Sequence, residues 1–164
     1  MAASRTTRYH EAAHAVAAHV LEIGLKEEGM ILDSDSEAWV AVVDIAANET
    51  GEDWFIRRVA VKLAGPLAMC RLRGEKLEWD ILRHSSEYHQ DFEDSLGILG
   101  EYWRRIGDGA SREQIDEQMN RAGCIAMECV QKNQAAIVAV AAAAEKRDRF
   151  SRSEIIAIIQ ACQQ

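Results

Sequence analysis

The residues His10-Glu11-Ala12-Ala13-His14 are the part of this chain whose types and spacing could do chemistry. On a helix, side chains four apart share a face, so two imidazoles can reach one metal ion. Glu11 sits one residue further round, where its carboxylate can meet a metal-bound water instead of the metal. Zinc held by neutral imidazoles brings the pKa of its water towards neutrality, and a neighbouring carboxylate can take the proton as that water attacks a carbonyl. A surface helix carrying two histidines by chance is the plain alternative. The context argues against it: Thr7 to Ile23 is rich in Ala, Val and Leu and apolar nearly all round, with Gly24 as a stop. Such a helix is buried, and buried imidazoles need partners.

A catalytic zinc needs a third protein ligand and leaves its fourth position to water. His19 is five residues past His14, about 140° round the helix from it, and cannot easily share the site. Its spacing also misses the metzincin pattern, since Ala17 and Val20 stand where a Gly and a His belong. Glu49 and Asp53 have the spacing of the Glu and Asp of thermolysin-like enzymes but sit in what reads as a loop. An Asp at the head of a helix beginning near residue 91 is the third option.

The elements that must position these groups are mostly helical. Met30-Ile31-Leu32 and Trp39 to Ile45 are the strand candidates, joined by a turn at Asp33-Ser34-Asp35-Ser36 into a hairpin over about 30–45. Trp54 to Arg73 reads as helix, with Gly65-Pro66 either kinking it or starting a second one. Residues 74–90 read as irregular, Asp91 to Ile106 as helix, and Gly107 as its end. Ser111 with Gln114 offers a capping box for a long helix running towards Arg147, and Ser151 with Glu154 another for a terminal helix. Trp39, Trp54, Trp79 and Trp103 read as core or interface anchors, Met119 and Met127 as packing residues, and Ala139 to Ala144 as a stretch permitting close helix contact, such as between subunits. The fold class expected is mainly α (α+β), one domain over 1–164 with its metal helix at about 7–23.

Composition narrows the function classes. The 164 residues carry a net charge of −8 and are 48% hydrophobic, with one Pro. No basic stripe appears, which excludes nucleic acid as the main partner. The longest apolar run, Ala135 to Ala144, is too short to cross a bilayer, and nothing at the N-terminus reads as a signal segment. Cys70, Cys124, Cys129 and Cys162 show no C-x-x-C spacing, so free thiols in a cytoplasmic setting are expected.

Taken in order, the motifs resemble the peptidase domain of the FtsH-type zinc metalloproteases. The matching residues are His10-Glu11-Ala12-Ala13-His14, Leu63-Ala64-Gly65-Pro66-Leu67-Ala68 with Gly74, and Asp91-Phe92-Glu93-Asp94-Ser95-Leu96 preceded by Ser85-Ser86. The tail, Asn133-Gln134-Ala135-Ala136-Ile137 and Phe150-Ser151-Arg152-Ser153-Glu154, also fits. The resemblance spans nearly the whole chain, although only the first motif is specific alone. It implies Zn2+ as cofactor, His10, His14 and Asp91 as ligands, Glu11 as general base, and peptides or unfolded segments as substrates. Asp94 is the fallback ligand, His89 could bind metal or substrate, and His84 has no role.

Two departures bear on function. Ala13 stands where the family usually has Gly, and these 164 residues offer no motif that reads as a phosphate-binding loop, an ATPase module or a membrane anchor. The expectation is an ATP-independent zinc metallopeptidase, working alone, as a homo-oligomer or with a separate ATPase partner. The competing expectation is a non-catalytic zinc-binding or protein-interaction module that retains the fold. An intact Glu11 favours the peptidase, because a structural site needs no base.

Overall fold

The computed structural model describes residues 3–34, 38–76 and 84–163. Among them are six α-helices and a three-stranded antiparallel sheet, a mainly helical α+β fold. No helix among the described residues is long and apolar enough to cross a membrane.

The metal-motif helix, α1, runs Arg5–Val20. Ser4 caps it, its hydroxyl accepting the Thr7 N–H at 3.2 Å. Every residue from Glu11 to Ala18 is buried, as the apolar composition requires. The helix starts and stops earlier than the sequence suggests. Ile23 and Gly24 both donate their N–H to the Ala18 carbonyl, and Glu22 takes the positive φ of 58° at the exit. Gly24, at φ 94°, then turns the chain into the sheet.

Strands β1 (Leu25–Leu32) and β2 (Ala38–Val42) form the expected hairpin with altered limits. The first strand is longer, because a bulge between the Leu25–Val42 and Met30–Val40 pairs accommodates the polar Lys26-Glu27-Glu28 stretch. The second ends at Val42, short of Ile45. The expected turn lies partly outside the described residues. The third strand, β3 (Arg149–Phe150), was not expected; two residues are too short for an alternating pattern. It pairs with β1 through Met30 and Phe150, giving the order β2-β1-β3, in which β2 has one edge unpaired among the described residues. Gly29 permits that pairing. Its φ is 62°, and a Cβ there would lie 2.2 Å from the Phe150 carbonyl oxygen.

Helix α2 (Glu52–Arg73) is the central rod, and its middle from Phe55 to Cys70 is largely buried. It passes Pro66 as one helix. Proline removes one hydrogen bond to the Lys62 carbonyl, and burial on several sides holds the remaining ladder in place. Gly74 ends it in the left-handed conformation at φ 71°. Helix α3 (His89–Ile106) stops at Gly107, also left-handed, as expected.

The helix expected to run from Ser111 towards Arg147 is two helices, α4 (Arg112–Lys132) and α5 (Gln134–Ala143). Asn133 breaks it, its side-chain amide donating to the Cys129 carbonyl at 2.9 Å. Both capping boxes form, Ser111 with Gln114 on α4 and Ser151 with Glu154 on α6 (Arg152–Ala161). Helix α2 packs against α1, α3 and α4, whereas α1 and α3 have little direct contact with each other. Met119 is buried and Met127 half-buried, while Trp39 is 46% exposed and is no core residue. Trp79 lies outside the described residues.

Candidate metal centre

Helical spacing on α1 brings His10 and His14 together, with Nε2 atoms 2.9 Å apart. Asp91, in the first turn of α3, supplies the third group. Its Oδ2 is 3.0 Å from His10 Nε2 and its Oδ1 is 3.5 Å from His14 Nε2. Two ligands each about 2.05 Å from a tetrahedral ion lie about 3.3 Å apart. All three separations bracket that value, so the cluster has the dimensions of one face of a zinc site.

The surroundings orient the donors. His14 Nδ1–H donates to the Val61 carbonyl of α2 at 2.7 Å, which turns its Nε2 towards the cluster. The His10 ring lies parallel to that of Tyr88, centroids 6.2 Å apart. Ser95 Oγ donates to the Asp91 carbonyl at 2.7 Å, fastening the turn that carries the carboxylate. Helix α2 passes close beneath both imidazoles at Gly65, where a Cβ would lie 2.5 Å from His14 Nε2 and 2.7 Å from His10 Cε1. The absence of a side chain at Gly65 therefore makes the space for the cluster.

The electrostatics couple the three groups. Burial would raise the Asp91 carboxyl pKa, but the His14 and His10 imidazoles outweigh it and hold it well below the usual carboxylate range. Burial would lower His14, but Asp91, with help from Glu11, leaves it above its ordinary value. Without an ion the cluster thus draws in a proton, which a metal would displace.

Glu11 is buried, with 8% exposure, and lines the same cavity of about 500 Å³ as His10, His14 and Asp91. Trp39, Val40 and Val42 form one wall, so the edge strand β2 borders the site. Lys62 enters from α2, its Nζ 2.7 Å from Asp94 and 3.9 Å from Asp91 Oδ1.

Among the described residues, His10, His14 and Asp91 form the group able to hold a metal. Asp94 is engaged with Lys62 and with Gln90, at 2.7 Å each, and does not join them. His84 and His89 are exposed and outside the group, and His19 is half-buried elsewhere on α1. Glu49 accepts the Gly51 N–H at 2.8 Å, and Asp53 pairs with Arg121 at 3.0 Å, so neither reaches the centre.

Sequence reasoning missed Val61, Lys62 and Tyr88. Val61 acts through its backbone, which leaves no residue-type signal. Lys62 had one: it is the lone charge in the apolar run from Val59 to Ala68. Compared with known proteins, the chain matches no family model and no curated protein.

Proposed function

We propose that this chain is a zinc-dependent metallopeptidase of the FtsH peptidase-domain type, hydrolysing peptide bonds in peptides or unfolded segments. The observation that carries the reading is the convergence of two imidazole nitrogens and one carboxylate at zinc-ligand spacing, with Glu11 lining the same cavity. A zinc ion held there would supply Lewis acidity, polarising a scissile carbonyl and lowering the pKa of water towards neutrality.

The chain's own groups do the rest. Glu11 takes a proton from the attacking water and passes it to the leaving amine. The Val61 carbonyl keeps His14 in the tautomer that presents Nε2. The outer edge of β2 pairs with an extended substrate backbone and lays it across the cavity. Free thiols at all four cysteines suit a reducing compartment such as the cytoplasm. A separate ATPase would be the means of delivering folded substrates to such a site, and the small residues from Ala139 to Ala144 would suit a homo-oligomer.

The test is elemental analysis of wild type beside Asp91→Ala, together with peptide cleavage by wild type and Glu11→Gln. One zinc per chain, reduced in Asp91→Ala, with turnover lost but zinc kept in Glu11→Gln, is the expected result. Bound zinc with no cleavage and no hydroxamate binding would overturn the peptidase in favour of a non-catalytic zinc module.

A further inference from the structure

A second cavity, of about 260 Å³, adjoins the metal cavity and shares Trp39, Val40, Val42 and Lys62 with it. It holds three cationic side chains, Lys26 from β1 and Arg58 and Lys62 from successive turns of α2, against one acidic side chain, Glu28. Two of the cations already have carboxylate partners: Lys26 lies 2.8 Å from Asp44, and Lys62 lies 2.7 Å from Asp94.

Arg58 differs. Half-buried, its guanidinium donates to the Val43 carbonyl and lies over the Trp54 ring, 5.9 Å from the centroid. Among the described residues Asp44, already paired with Lys26, acts on it electrostatically, but no carboxylate is hydrogen-bonded or ion-paired to it. A guanidinium has five N–H donors in a planar fork that matches a carboxylate, and a desolvated one gains most from such a partner.

We propose that Arg58, flanked by Lys26 and Lys62, forms a substrate subsite that receives a carboxylate close to the scissile bond. This rests on the peptidase reading and gives it a substrate class. The location follows from Lys62, which lines both cavities and whose Nζ is 3.9 Å from the candidate ligand Asp91. A peptide paired along β2 passes both cavities, since Trp39, Val40 and Val42 line each. The carboxylate has two sources, an Asp or Glu side chain within the substrate or the substrate's own C-terminus.

The experiment uses the zinc-loaded Glu11→Gln protein, which cannot turn over, and calorimetric titration with capped heptapeptides. One set carries Asp at each position in turn, a second carries Asn there, and a third is the Asn set with a free C-terminal carboxylate. The expected result is about tenfold tighter binding of one carboxylate-bearing set over the capped Asn set. An internal Asp preference identifies an acidic side chain, and a free-terminus preference identifies the C-terminus. Arg58→Gln, still able to donate to Val43, should abolish the preference, with zinc content of the same sample as the check on folding. Equal binding of all sets, or a preference that survives Arg58→Gln, overturns the subsite while leaving the peptidase reading intact. Failure of every peptide to bind, with no cleavage by wild type, overturns both.

Discussion

Replacing Gly65 by Ala puts a methyl group where the two imidazoles now lie. The added Cβ would be 2.5 Å from His14 Nε2 and 2.7 Å from both His10 Cε1 and His14 Cε1, while ordinary contact begins at 3.4 Å. The rings must therefore withdraw by about 0.7–0.9 Å, or α2 must move off α1. Metal ligation tolerates about 0.2 Å. Changes that merely loosen ligand orientation cost about 10–100-fold in affinity, so this displacement should cost at least about 100-fold. Stability pulls the other way in part. Ala is a better helix former than Gly by about 1 kcal/mol, against about 1–3 kcal/mol for overpacking. The metal-free variant should thus melt within a few degrees of the metal-free wild type while binding zinc far more weakly. Gly97 on α3 is the control, since a Cβ there meets nothing within 4 Å. Gly97→Ala should bind zinc normally and be stabilised. The assay is zinc affinity by competition with a chromophoric chelator, beside thermal melts of the metal-free proteins. A Gly65→Ala protein with zinc affinity within about threefold of wild type would refute the reasoning.

The stability of the metal-free protein should peak at mildly acidic pH. Asp91, lowered on folding, contributes above about pH 4 and loses that contribution as the pH falls; His14, raised on folding, contributes below about pH 6.5 and loses it as the pH rises through its folded value. Zinc competes with the same protons, so its stabilising effect should grow between pH 5.5 and 8; melts showing an equal zinc shift at both would contradict this. A colorimetric disulfide reagent at pH 8 should titrate the exposed Cys124 and Cys162 quickly and the buried Cys70 and Cys129 only slowly, because burial pushes the Cys129 thiol up to about 11. Four fast thiols would mean the core opens readily. Ser111→Ala removes the half of a capping box in which the hydroxyl accepts the Gln114 N–H, while the backbone N–H at 111 still donates to Gln114 Oε1; it should lower stability by about 1 kcal/mol in denaturant titrations, without changing zinc content.

What the sequence revealed depended on whether a feature is local and carried by side chains. His10 and His14 stand out because one helical turn brings them together, and the Ser111 and Ser151 boxes because four residues contain the whole pattern. Asp91 is different. It lies 81 positions from His10, and only the resemblance of motif order picked it from the other acids. Gly65 was quoted as part of a motif, but its role as the floor under both imidazoles depends on how two helices cross. Pro66 suggested a break that the burial of α2 overrides. Asn133 was read as motif, yet it divides the expected long helix because its side chain competes for a backbone carbonyl.

Helices α1 and α3 both lean on α2 and scarcely touch each other. The His10–His14–Asp91 cluster is therefore the main direct tie between them, closing a long span of chain through a few atoms. In chain-entropy terms a bound ion there acts as a reversible clasp, and a permanent cross-link closing a loop of such length would be worth about 4–5 kcal/mol. Its removal would leave α3 held by α2 and, more lightly, by α4, with no tie to α1 through the cluster. Hydrogen exchange after chelation should then rise first along residues 89–106, while α2, enclosed by its neighbours, keeps its protection. The metal would be a mechanical part of the molecule as well as a chemical one, setting how readily one wall of the cleft swings away from the other.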